Sequence, residues 1–190
     1  MASNRSKSSA KTKTRPTLTF EMAVQLCPHQ GMAEKVAETF GLIVPEYDAI
    51  REEHARSLRS MWTGFGDSLN EKATEMHFQR IVGSLVASAV GAGRFFSTKV
   101  SEARAATARA GDGGDDEYGT PIGLESKAQR IREFAADMTM QAYALLAAAH
   151  GAVEAYREIT GSDWKAYKAP ADTGGVEKRA GSAQIGAFEA

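Results

Sequence analysis

The chain has one cysteine, Cys27, in 190 residues, so it can form no intrachain disulfide and assemble no cysteine-based zinc site. That usage fits a reducing compartment, and the expected location is cytoplasmic. Ahead of Thr17 there is positive charge but no apolar stretch of the kind a secretory signal needs. Long uncharged runs are missing too. The most apolar uncharged run, Ile81 to Gly93, is closed by Arg80 and Arg94. It falls short of the roughly 18–20 residues that span a bilayer, so no transmembrane segment is expected. No segment alternates apolar and polar residues as a half-buried strand does, and β-branched residues are sparse beside abundant alanine, which points away from any sheet.

Several chemistries are excluded in the same way. Carboxylate-bridged metal centres in helical bundles use a Glu-x-x-His pair, but the residues three before His29, His54, His77 and His150 are Leu26, Arg51, Thr74 and Ala147. The acidic stretch Asp112, Asp115, Asp116 and Glu117 matches a calcium loop only in composition. A loop starting at Asp112 would place Glu117 where glycine is required and Gly123 where the bidentate glutamate belongs. Glycine-rich phosphate and dinucleotide fingerprints and the nucleophile elbow are absent, and Gly91-Ala92-Gly93 has no strand before it. The expectation is therefore a non-enzymatic protein with no metal and no cofactor. Cys27-Pro28-His29 invites a thiolate or haem-ligand role, yet a lone cysteine on an apolar helix face reads first as a small buried hydrophobe. His54 lies on the apolar stripe of its helix and reads as a hydrogen-bonded core or boundary histidine. His150 and Glu154, four apart, read as a surface pair on one helix face.

What the chain does have is helical periodicity. Ile131, Ala135, Met138, Ala142, Leu145, Ala149, Ala152, Tyr156 and Ile159 are spaced alternately four and three apart, and all are apolar. Such a seam belongs to a helix packed lengthwise on another helix, with the alanines letting the backbones approach. The helix carrying it is expected to start at Thr120-Pro121 and to stop at Gly161. Its partner carries Phe78, Val82, Leu85, Ala89, Ala92, Phe96, Val100 and Ala103 on one stripe, from a Ser68-to-Glu71 capping box to about Ala110. At about 1.5 Å per residue each long helix would run roughly 60 Å. Upstream, short helices are expected up to Pro28 and over Met32–Phe40 with Gly41 as C-cap, then a longer one with Pro45 at its first position. The fold class is all-α: an elongated antiparallel helical hairpin or bundle with a short N-terminal helical subdomain.

The expected organisation is a disordered basic arm (1–17), the short helical subdomain (18–44), a bundle with two long helices (45–168) and a disordered tail (169–190). Ser162, Asp163, Trp164 and Tyr167 suggest a last turn whose aromatics tuck back onto the bundle. Gly83, Ala87 and Gly91 form a small-residue ladder at spacing four. Around it Ile81, Val82, Leu85, Val86, Val90, Phe95 and Phe96 make the helix apolar on more than one side. Either the 19–65 segment or a second copy must cover what one helix cannot.

These features favour a helical assembly, scaffold or adaptor protein. It would self-associate through Ile81, Leu85, Val86, Val90, Phe95, Phe96, Ala142 and Ala149, and a homo-oligomer is the expected state. A second reading is a nucleic-acid-associated protein. The arm carries Arg5, Lys7, Lys11, Lys13 and Arg15 without one acid through residue 16, enough for a sequence-tolerant salt slope no steeper than about −4.5 per arm. A helix-turn-helix over Thr19–Phe40 is not expected to read sequence, since its second helix sets Glu34 and Glu38 against Lys35 alone. A third reading is a coat for an apolar surface or granule.

Overall fold

The computed structural model describes residues 17–66, 70–111 and 121–166. Leu18–Tyr167 form one compact unit, while the other unit, 1–17 with 168–190, falls outside the described residues apart from Thr17. The arm residues Arg5, Lys7, Lys11, Lys13 and Arg15, the acidic loop over 112–120, Tyr167 and the tail therefore lie outside them as well. Five helices are described and no strand: α1 (Phe20–Leu26), α2 (Gln30–Phe40), α3 (Tyr47–Gly66), α4 (Glu71–Gly111) and α5 (Pro121–Thr160).

The helix ends follow from local chemistry. Thr19 caps α1 through Oγ1, which accepts the Met22 N–H at 3.3 Å. His29 caps α2 in the same manner, its Nδ1 accepting the Met32 N–H at 3.2 Å. The helix thus starts at Gln30, two residues before the Met32 expected from the sequence, because an imidazole takes the place of the usual hydroxyl or carboxylate. Gly41 closes α2 at φ 66° and Gly161 follows α5 at the same angle, the left-handed cap geometry glycine adopts without strain. Glu46 supplies the carbonyl that accepts the Ile50 N–H, so Pro45 precedes the cap of α3 rather than occupying its first turn. At α4 the cap is Asn70, whose Oδ1 accepts the Ala73 N–H at 2.9 Å; the expected capping residue, Ser68, is outside the described set.

α5 is the central element. α4 and α3 pack on it most extensively, and α2 and α1 also touch it; α1 lies mainly on α4. The stacked pair Phe78 and Tyr156, with ring centroids 5.8 Å apart, joins the beginning of α4 to the end of α5. Arg109 and Ala105 lie beside Lys127 and Ala128 at the other ends. The two long helices are therefore antiparallel. In the heptad seam Ala142, Ala149 and Ala152 are fully buried, while Ile131, Met138, Leu145 and Ile159 are half-buried. Phe78, Leu58, Val82, Val86 and Val90 form the fully buried centre, and Trp164 returns past Gly161 to join the same core.

Among the glycines whose surroundings are described, Gly151 and Gly93 mark the closest approaches, and neither is a rung of the expected ladder. A Cβ on Gly151 would run into the Arg51 carbonyl oxygen and stand 2.8 Å from its carbonyl carbon, so α3 sits directly on the α5 backbone there. A Cβ on Gly93 would stand 2.8 Å from Leu26 Cβ and 2.9 Å from its carbonyl carbon. Gly91, a rung of the ladder, is exposed with nothing within 4 Å of that position. One 18-residue window of α4 reaches a mean hydropathy of 1.3, long and apolar enough to cross a membrane by length and composition. Counting only the uncharged run missed it. A buried core helix meets the same criterion; here 39% of the window is buried inside the chain, and Val82, Val86, Ala89 and Val90 of this helix lie in the core.

Candidate functional site

Cys27 ends α1 and is buried. Its Sγ donates to the Ala89 carbonyl of α4 at 3.3 Å, and burial pushes the thiol up to about 11. A thiol held protonated at neutral pH is a poor nucleophile and a poor metal ligand. His29 is committed to capping α2, and His54 Nδ1 lies 2.9 Å from the Ile50 carbonyl in its own helix. Among the described residues there is no group of three or more His, Cys, Asp or Glu side chains that could hold a metal ion.

The most connected polar cluster joins α3 to α5. The Tyr47 hydroxyl lies 3.1 Å from His150 Nδ1, and His150 Nε2 lies 3.3 Å from Glu154 Oε1. Arg51 Nε lies 3.4 Å from Glu154 Oε2, and its Nη1 lies 3.2 Å from Asp48 Oδ1. Burial, with a smaller push from neighbouring Tyr143, raises the Tyr47 phenol to about 12, so it keeps its proton; because the Glu154 carboxylate accepts, the neutral tautomer that satisfies both contacts carries its hydrogen on Nε2 and accepts the Tyr47 O–H at Nδ1. The Tyr143 and Phe20 rings close the cluster, at centroid distances of 5.2 Å from Tyr47 and 5.4 Å from His150. His150 and Glu154 are thus members of an interhelical network, where the sequence suggested a simple surface pair. The arrangement resembles a proton relay in outline, but a phenol moved away from ionisation is suited to fixing helix register. One turn on, Arg59 Nε donates to Glu158 Oε2 at 2.7 Å and holds that carboxyl below its ordinary range. Both side chains are solvent-exposed, so the pair orients more than it stabilises.

The eight residues expected to drive self-association separate into three groups. Val86, Val90, Phe96, Ala142 and Ala149 are buried inside the chain, covered by α1, α3 and the α4–α5 contact itself. They act in internal packing and present no surface to a second copy. Ile81 and Leu85 are half-buried, across a shallow groove from His54 and Met61 of α3. Phe95 alone stays well exposed, at 45%. It faces Phe134 of α5, itself 44% exposed, edge to face at a centroid distance of 6.2 Å. Lys99 Nζ sits 5.1 Å from the Phe95 centroid and 5.9 Å from that of Phe134, and pairs with Glu102 at 2.7 Å. Ile131 continues this apolar strip toward the ends of the two helices. Phe134 and Lys99 went unnoticed in the sequence because both lie off the heptad stripes. The signal available was Phe134 three residues after Ile131, a neighbour on the same helix face.

No family model matches this chain, and no match was found among curated proteins or solved structures.

Proposed function

We propose that this chain is a non-enzymatic helical assembly protein that self-associates through the flank of the α4–α5 seam bearing Phe95, Ile131 and Phe134. One observation carries the reading: two phenylalanines from different helices, each nearly half exposed, face one another across the seam with an ammonium over both rings. Aromatics presented on rigid helices carry large apolar area at little entropic cost, which suits them to the centre of an interface. The rest of the two-sided apolar run in α4 is used internally, so the association surface is smaller than the sequence suggested and sits toward the α4 C-terminus. The second copy is the first partner to test, because the strip is the same on every chain and a two-fold interface matches a patch to itself.

Sedimentation or light scattering at micromolar concentration tests this. A mass above 20.3 kDa that falls to the monomer value in the Phe95→Glu/Phe134→Glu double variant, with the helical spectrum retained, is the expected result. A wild-type chain that is strictly monomeric and well folded would overturn the reading.

A further inference from the structure

The α4–α5 seam has a second flank. Opposite the Phe95–Phe134 strip, a groove of about 520 Å³ opens between the end of α2, the C-terminal half of α4 and the first half of α5. Its walls are Val36 and Phe40 from α2, Val100 and Ala103 from α4, and Ala135 and Ala136 from α5. Two threonines also line it, but both hydroxyls are satisfied within their own helices. Thr107 donates to the Ala103 carbonyl at 2.9 Å and Thr139 to the Ala135 carbonyl at 2.8 Å. The volume is in the range of clefts that take one small molecule.

Among the described residues the charge lining this groove has one sign: Arg104 and Arg132 line it and no acid does. Arg132 is held in place, with Nη2 and Nε donating to Gln129 Oε1 at 2.8 and 3.2 Å and Nη1 to Thr107 Oγ1 at 3.2 Å. Arg104 is exposed and has no hydrogen bond or ion pair among the described residues. A guanidinium offers a planar fork of donors that fits a carboxylate on two oxygens. An apolar cleft whose charged groups, among the described residues, are guanidiniums complements a molecule with a long apolar body and a single anionic end. A neutral hydrocarbon would leave Arg104 unused, and a cationic amphiphile would be repelled.

We propose that this groove binds a free long-chain carboxylate, its tail along Val36, Phe40 and Val100 and its head group at Arg104. The site uses the flank opposite the self-association strip, so either proposal stands if the other fails. The test is titration of the full chain with cis-parinarate below its micelle concentration, read by fluorescence, followed by displacement with palmitate. Saturable binding at one site per chain is expected. Arg104→Gln should weaken it about tenfold or more, the worth of a hydrogen bond to a charged group. Ala108→Trp, at an exposed position in the groove wall, should block it with the helical spectrum unchanged. Ala105→Trp, exposed on the opposite flank, should bind as the wild type does. The proposal is overturned if the wild-type chain shows no saturable binding, or if palmitate methyl ester displaces the probe as well as palmitate does. Wild-type affinity in folded Arg104→Gln and Ala108→Trp would overturn it too, as would binding to phosphatidylglycerol vesicles with none to monomeric palmitate.

Discussion

The two halves of α5 differ in charge and in fate. From Thr139 to Tyr156 the helix is covered on nearly every side, by α4, α3, α2 and α1 in turn. From Ser126 to Met138 it leans chiefly on α4, with the end of α2 reaching one flank, and Phe134 and Ile131 remain partly open to solvent. The open stretch carries Lys127, Arg130, Arg132, Glu133 and Asp137, the enclosed one Glu154 alone, so charge falls away where more helices surround α5. In the enclosed half small residues bring backbones together; in the open half the same spacing leaves two flanks, one aromatic and one grooved. Structural roles fall in the first region and both proposed interaction surfaces in the second.

The sharpest test of that contrast uses one residue type in both regions. Phe78 is fully buried and stacked on Tyr156, so Phe78→Ala should cost about 3–5 kcal/mol, the range for truncating a core aromatic. Phe134→Ala, at an exposed position, should cost under about 1 kcal/mol. Urea unfolding of both variants, at protein concentrations below those at which the chain self-associates, gives the comparison. Equal losses would mean that the open half is buried in solution, as a constitutive oligomer would make it.

Overpacking sharpens the same comparison. Gly151→Ala forces a Cβ against the Arg51 carbonyl, backbone that cannot rotate away, and α3 must lift from α5. The expected loss is about 3 kcal/mol, the upper part of the overpacking range. Ala149→Leu, at a fully buried seam position, should cost about 1–3 kcal/mol, whereas exposed Gln141→Leu should be nearly neutral. Thermal melts of the three variants rank them. A neutral Gly151→Ala would show that α3 is not seated on α5 as described.

These positions also show what the sequence made legible. The α5 boundaries, its alanine seam and the antiparallel partner followed from periodicity and from Pro121 and Gly161, because each depends on residues close in the chain. Gly151 did not stand out, because its role comes from Arg51, a hundred residues away in sequence. The ladder of Gly83, Ala87 and Gly91 was regular in spacing, yet the true contact of α4 with α1 falls on Gly93, set by where Leu26 ends a separate helix. Likewise the Tyr47–His150 pair and the Phe95–Phe134 pair each need two helices in register before either is visible. Local pattern gave elements and core faces; the candidate surfaces are products of the assembly of α1, α2 and α3 around the hairpin.

Alkaline pH should weaken the enclosed region. Burial raises the Cys27 thiol from 9.0 to about 11 and the Tyr47 phenol from 10.0 to about 12. For a group that loses its proton to become an anion, a raised folded pKa means that the unfolded chain ionises first as pH climbs. The unfolded state then binds fewer protons, so stability falls with pH. For Cys27 the full contribution is present below about pH 9 and is lost on passing to about pH 11, a change of roughly 2–3 kcal/mol. Urea midpoints at pH 8, 10 and 11 should decline accordingly. Cys27→Ala should start lower and lose less over that interval. Parallel declines in both proteins would remove the thiol from the account.

The smallest effect has the most diagnostic sign. Gly91 lies inside α4 with open space where a Cβ would stand, so Gly91→Ala adds a methyl that meets nothing and removes a flexible residue from a helix interior. That should stabilise the fold by about 0.5–1 kcal/mol, raising the melting temperature by about 2 °C in a chain of this size. A helix packed on the spacing-four ladder would respond in the opposite direction, because the methyl would then push two backbones apart. Gly93→Ala, two residues on, should lower the melting temperature for that reason, with Leu26 in the way. Calorimetry on the two alanine variants therefore reads, from sign alone, which line of α4 receives α1. Destabilisation by Gly91→Ala would place another helix on the exposed face of α4, moving the interaction surface of this protein away from Phe95 and Phe134.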